Sequence, residues 1–252
     1  MVTESVEFKN SRGQRLAGRI QRSATVSRRG VIFSHGLFSS KDGYKITSLA
    51  KGIVDAGYTL LTYDFSFVGE SGGDISRLSV LQEVNDLACA VRFFLDYGMD
   101  SVHLMGSSMG GAVTLLHAAE HPAFISSLVL IATPVDLESL IIDNTDIRDV
   151  DALPDDGMTD LQGFLIANRF FKEIRKIDIR SAVKKIEIPA LIIHGGLDTV
   201  VDISNARYCN EYLRGARELL VIDDGDHHLT RKEDMDCIRD NALRWFRRWD
   251  RD

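Results

Sequence analysis

Ser108 lies in Gly106-Ser107-Ser108-Met109-Gly110-Gly111, a G-x-S-x-G pattern extended by one glycine. An apolar run over 102–105 precedes it, and an apolar helical stretch over 112–119 follows. Strand, sharp turn and helix in that order are the setting in which a serine hydroxyl becomes a nucleophile. The turn strains the central residue, so its neighbours must be small. It also leaves Oγ clear of the sheet, beside a helix N-terminus that favours developing negative charge.

A serine needs a base, and the base an orienting acid. Asp198 closes the stretch Leu191-Ile192-Ile193-His194-Gly195-Gly196-Leu197-Asp198. That puts it just past the carboxyl end of an expected strand, where open α/β sheets carry their functional loops. Capping the helix near Ile203 or bracing a loop is the competing role for Asp198, and Asp202 is its rival as the acid. Either histidine of Asp223-Asp224-Gly225-Asp226-His227-His228 could serve as the base. The chain order Ser, Asp, His is that of an acyl-transfer triad.

The elements that must position these groups follow from the apolar pattern. Strands are expected at 5–9 and 16–21, a hairpin joined by Asn10-Ser11-Arg12-Gly13. Six further runs, at 31–34, 58–63, 102–105, 128–132, 190–194 and 218–222, lack polar alternation and suit strands buried on both faces. Val84, Leu87, Ala88, Val91, Phe94 and Leu95 recur at helical spacing, with Gly98 placed to end the helix. Met235, Ile238, Ala242, Phe246 and Trp249 make a second such face near the C-terminus. Strands alternating with helices imply an α/β fold with a mostly parallel sheet. From 136 to 187 the rhythm breaks and no strand is expected. Acids crowd the first half of that stretch and bases the second. A solvated insertion fits better than a calcium loop, which would need a central Gly and a final Glu.

Two more segments carry a resemblance. His35-Gly36-Leu37-Phe38 follows the run 31–34, and Asp64-Phe65-Ser66-Phe67-Val68-Gly69-Glu70-Ser71 follows the run 58–63. With the serine, aspartate and histidine loops, they identify the chain as a member of the α/β-hydrolase-fold serine hydrolases. It looks most like the carboxylesterases and feruloyl or cinnamoyl esterases. The likeness runs from about residue 31 to the C-terminal helix. It implies an oxyanion hole built from the backbone N–H groups of Leu37 and Met109. It favours His227 over His228, because Gly225-Asp226-His227 matches the family's small-Asp-His pattern. It also makes 136–187 a short helical cap within one α/β-hydrolase domain spanning 1–252. The Asp64 turn departs from the family's D-x-R/N-G-x-G-x-S at Ser66 and Phe67, so its local shape is expected to differ.

Composition limits the alternatives. A net charge of −7 disfavours non-specific binding to nucleic acid or anionic membrane. The three cysteines, Cys89, Cys209 and Cys237, form no CxxC pair, which excludes a cysteine zinc site and a disulfide framework. No HExxH, P-loop or GxGxxG follows any expected strand, so no metal or cofactor is expected. The polar N-terminus lacks a signal-peptide core, and a cytoplasmic location is expected.

The expected activity is hydrolysis of carboxylic esters with small to medium or aromatic acyl groups, by Ser108, His227 and Asp198. The partner is a small-molecule ester, with no nucleic acid or membrane, and the oligomeric state, a homodimer included, is left open. The acidic half of the cap predicts a preference for neutral or cationic substrates. The alternatives on the same triad are a thioesterase and an acyl-peptidase, whose usual N-terminal propeller is not expected in the 30 residues before the sheet. A non-catalytic binding protein of the same fold is the alternative from another class.

Overall fold

The computed structural model describes residues 1–24, 27–145 and 147–250. The chain opens on an antiparallel hairpin of β1 (Val2–Lys9) and β2 (Arg15–Arg22). Its turn is held by Asn10, whose Oδ1 accepts the N–H groups of Arg12 and Gln14 at 3.0 Å each. There follow β3 (Arg29–Ser34), α1 (Tyr44–Asp55), β4 (Thr59–Tyr63), a 3-10 turn (Ile75–Arg77), α2 (Val80–Asp96), β5 (Ser101–Ser107), α3 (Met109–Glu120) and β6 (Ile125–Ile131). An insertion comes next, with α4 (Leu137–Asn144), β7 (Met158–Leu161), β8 (Phe164–Ala167), α5 (Asn168–Ile174) and α6 (Ile179–Val183). The core then resumes through β9 (Ala190–Gly195), α7 (Ser204–Tyr212), β10 (Arg217–Ile222) and α8 (Lys232–Trp249).

The sheet runs β1-β2-β4-β3-β5-β6-β9-β10. It is parallel from β4 to β10, and β2 is antiparallel to both its neighbours. Alternate side chains feed two separate cores. Ile32, Leu61, Leu128 and Leu130 pack with α2 and α3 on one face. Val31, Phe33, Leu60, Val129 and Ile131 pack with α1 and α8 on the other. Burial on both faces explains why these strands read as continuous apolar runs. In α2, Ser79 Oγ accepts the Gln82 N–H at 3.1 Å, and Gly98, at φ 119°, lies just beyond the helix end. Met235, Ile238, Ala242 and Phe246 bury the inner face of α8.

From β3 the chain goes to β4 on one side and later to β5 on the other. The crevice at the carboxyl ends of β3 and β5 is therefore the switch point where such sheets bind ligands.

The insertion differs from the expected helical cap, because β7 and β8 form an antiparallel hairpin within it. Gln162 and Gly163 make its two-residue turn, both with positive φ (55° and 88°), as a right-twisted hairpin requires. Some acids of the first half and bases of the second meet in ion pairs. Arg175 meets Glu138 at 2.8 Å and Asp151 at 2.5 Å, Arg180 meets Asp136 at 3.7 Å, and Lys172 pairs with Asp155. Leu137 and Phe170 of the insertion are buried, whereas Leu165 is 60% exposed. Among the described residues, no helix is long and apolar enough to cross a membrane.

Candidate active site

Ser108 stands between β5 and α3 with φ 53° and ψ −121°. This left-handed backbone is unfavourable for a residue with a Cβ and persists because its surroundings hold it. The glycines around it permit close approach. A Cβ on Gly110 would lie 2.2 Å from the Ser34 carbonyl oxygen, and one on Gly106 would lie 2.4 Å from that of Gly110. The first turn of α3 thus presses against the end of β3, and Ser108 arrives beside the loop that starts at His35. His35 staples that loop to the next strand. Its Nδ1 donates to the Gly36 carbonyl at 2.8 Å, and its Nε2 accepts the Phe65 N–H at 3.2 Å. Burial lowers the His35 pKa, in keeping with a neutral ring that both donates and accepts.

His227 reaches both other members of the predicted set. Its Nε2 lies 3.1 Å from Ser108 Oγ and its Nδ1 lies 2.8 Å from Asp198 Oδ2. His228 is exposed, with its ring centroid 5.7 Å from that of His227, so the geometry separates two residues that the loop alone did not. Asp198 also braces its own loop but does not cap the helix that starts near Ile203. Its Oδ1 accepts the N–H groups of Val200 (2.9 Å) and Val201 (2.8 Å) while Oδ2 faces His227. Asp202 caps its own turn instead, accepting the Ser204 N–H at 2.8 Å. Burial alone would raise the Asp198 pKa, but hydrogen bonds from His194, His227 and Val201 outweigh it and hold the carboxyl well below the ordinary range. The aspartate and histidine loops meet because Gly195 and Gly196 clear the way. Cβ atoms there would lie 2.4 Å from the carbonyl oxygens of Gly225 and Asp223.

Leu37 and Met109 line the same cavity as Ser108, which has a volume of about 450 Å³, within the size range of small-molecule sites. Leu140, Ile141, Thr145, Leu161 and Gln162 of the cap close its far wall. Phe164 lies outside it, stacked on Phe38 with centroids 4.4 Å apart. No aspartate or glutamate lines the cavity among the described residues. Lys45, the lining lysine among the described residues, escaped the sequence reading. Its Nζ donates to Ser107 Oγ at 3.0 Å. The acidity expected to select neutral or cationic substrates is thus absent from the pocket wall. The available signal was a lysine in the first turn of the helix that follows the His35 loop. Among the described residues, no three His, Cys, Asp or Glu side chains cluster as metal ligands would.

The departures in the Asp64 turn are accommodated. Ser66 is tied to buried Asp86 through its N–H (2.7 Å) and its Oγ (3.0 Å). Phe67 stands where the family has glycine and takes φ 73°. Its ring occupies the space that a Cβ on Gly73 would need, 2.3 Å from Cδ1.

The family model described as alpha/beta hydrolase fold matches residues 31–170. Human (Homo sapiens) monoglyceride lipase is 24% identical over 259 residues, covering 89% of this chain and 83% of that protein. The mitochondrial palmitoyl-protein thioesterase ABHD10 of Mus musculus is 23% identical over 219 residues, covering 83% and 72%. Among solved structures, the esterase domain of a Rhodothermus marinus protein superposes with a TM-score of 0.77 at 26% identity, covering 99% of each chain.

Proposed function

The chain belongs to the α/β-hydrolase-fold family, and on that premise we propose that it is a serine hydrolase of carboxylic esters. The observation that carries this reading is the unbroken path Ser108 Oγ, His227 Nε2, His227 Nδ1, Asp198 Oδ2, with links of 3.1 and 2.8 Å. Ser108 Oγ attacks the ester carbonyl carbon while His227 Nε2 takes its proton. The tetrahedral oxyanion receives the N–H groups of Leu37 and Met109, an interaction typically worth about 3 kcal/mol per donor. The intermediate collapses to the acyl-enzyme as the alkoxide leaves with the proton held on His227. Water then repeats the sequence, releases the acid and restores Ser108 Oγ–H. Asp198, held ionised, keeps the proton of neutral His227 on Nδ1 and stabilises the imidazolium that forms.

The cavity of about 450 Å³, with Leu140, Ile141 and Leu161 in its wall, supports acyl groups of small to medium length or a single aromatic acyl group. The lipase and esterase relatives support an oxygen-ester substrate, and the thioesterase relative keeps a thioester as the second reading. The test is a series of p-nitrophenyl esters of rising acyl length, together with matched acyl-CoA thioesters, on wild type and Ser108→Ala. The proposal expects an optimum among short and medium oxygen esters and its loss in the variant. An optimum confined to acyl chains beyond about C10, where a cavity of this size would be outgrown, would contradict the assigned pocket.

A further inference from the structure

Lys45 is the second residue of α1. A cation there meets the positive end of the helix dipole, so local electrostatics do not favour it. Nor does an ion pair account for it. Among the described residues its Nζ has one hydrogen-bond partner, the neutral Ser107 hydroxyl at 3.0 Å, and no carboxylate within 4.0 Å. Lys41, four residues earlier, is different, with its Nζ 3.0 Å from Asp64 and 2.6 Å from Glu70. An ammonium carries three N–H donors, and Lys45 uses one of them within the protein. It lines the cavity that holds Ser108, and no other lysine or arginine does so among the described residues.

We propose that Lys45 is a specificity-determining residue that binds a carboxylate on the substrate, so that the pocket selects anionic esters over neutral ones of the same shape. The proposal rests on the ester-hydrolase reading of the same site and deepens it. Lys45 bonds the residue next to the nucleophile, so a carboxylate held by its Nζ shares the cavity with the carbonyl that Ser108 attacks. Charge-assisted hydrogen bonds of this kind are about twice as strong as neutral ones. Desolvation lowers the Lys45 pKa to about 8, partly offset by the more distant charges of Asp198, Asp226 and Asp234. His227 and His228 are the other titratable groups of the lining besides Tyr44. The ammonium form therefore prevails at neutral pH.

The carboxylate could belong to the acyl group or to the alcohol, and two pairs of esters separate these cases. Monomethyl adipate against methyl hexanoate tests the acyl side. Butyryl glycolate against ethyl butyrate tests the alcohol side. Hydrolysis is followed by pH-stat for wild type, Lys45→Met and Lys45→Arg. In at least one pair, the anionic-to-neutral ratio of kcat/KM should fall tenfold or more in Lys45→Met and recover substantially in Lys45→Arg. Ratios that stay within threefold of wild type in both pairs would overturn the proposal and leave Lys45 as a brace for Ser107. If wild type hydrolyses none of the four, the ester reading fails on its own. Calorimetric binding of monomethyl adipate and of butyryl glycolate then decides. At least tenfold weaker binding of one of them to Lys45→Met supports the anion site, and equal affinity for both compounds overturns it.

Discussion

Asp198 Oδ2 is shared by two imidazoles, His227 Nδ1 at 2.8 Å and His194 Nε2 at 3.3 Å. His194 Nε2 also lies 2.8 Å from the Val201 carbonyl, so it faces two acceptors and must carry the proton. Its Nδ1 is then a buried acceptor with no hydrogen-bond partner among the described residues. The His194 ring, at the end of β9, thus leaves one nitrogen unpaired among the described residues while supporting the acid of the proposed triad. His194→Phe removes both bonds and should cost about 1–3 kcal/mol of stability. It should also lower kcat more than it raises KM, because it touches the acid and not the substrate. Thermal melting and steady-state kinetics check the pair. An unchanged kcat in a folded variant would reduce His194 to a packing role.

Asp198→Asn keeps an oxygen that can accept the N–H groups of Val200 and Val201, but removes the charge facing His227. The fold should survive while the imidazole loses its orienting anion. A fall in kcat of about 10³–10⁴-fold with a melting temperature near wild type is expected. A decrease below tenfold would mean that another group orients His227.

Much of this site is legible in the sequence because its parts are local. The strand, turn and helix around Ser108 follow from apolar runs and glycines, and the loops of Asp198 and His227 from strand ends. Choosing His227 over His228 from the residues alone is different, since it depends on which ring turns toward Ser108 across a separation of 119 residues. The hairpin of β7 and β8 escaped because each strand has four residues and the turn is Gln-Gly rather than the common Asn-Gly or Asp-Gly. The placement of the cap charges was hidden for a similar reason. The sequence records the acids and the bases but not which of them meet: Lys172 in α5, Arg175 just beyond it and Arg180 in α6 reach Asp155, Asp151, Glu138 and Asp136.

Glu83 is buried in α2, and its Oε2 has no hydrogen-bond partner among the described residues. Burial first, and then the charges of Asp86 and Glu173, push its pKa well above the usual 4.5. The folded protein therefore holds a proton that the unfolded chain releases, and stability declines as pH rises above 4.5 toward the raised value. Glu83→Gln removes this ionisation. The variant should melt higher than wild type at pH 8, and the gap should narrow toward pH 5. A gap that does not change with pH would contradict a protonated Glu83.

The preference for anionic esters should itself titrate. Lys45 is charged below its lowered pKa of about 8 and neutral above it. The anionic-to-neutral ratio of kcat/KM should therefore fall as pH rises from 7 to 9.5, while the ratio cancels any pH dependence of the chemical steps common to both substrates. A ratio constant across that range would place the selecting charge elsewhere.

The central claim is that Ser108 is the nucleophile, and the adjacent Ser107, held by Lys45, makes the site of modification informative. The direct measurement is labelling with a fluorophosphonate, followed by peptide mass mapping of wild type and Ser108→Ala. The account predicts one adduct, on Ser108 Oγ, and none in the variant. An adduct on Ser107, or an active wild type that takes no label, would contradict it.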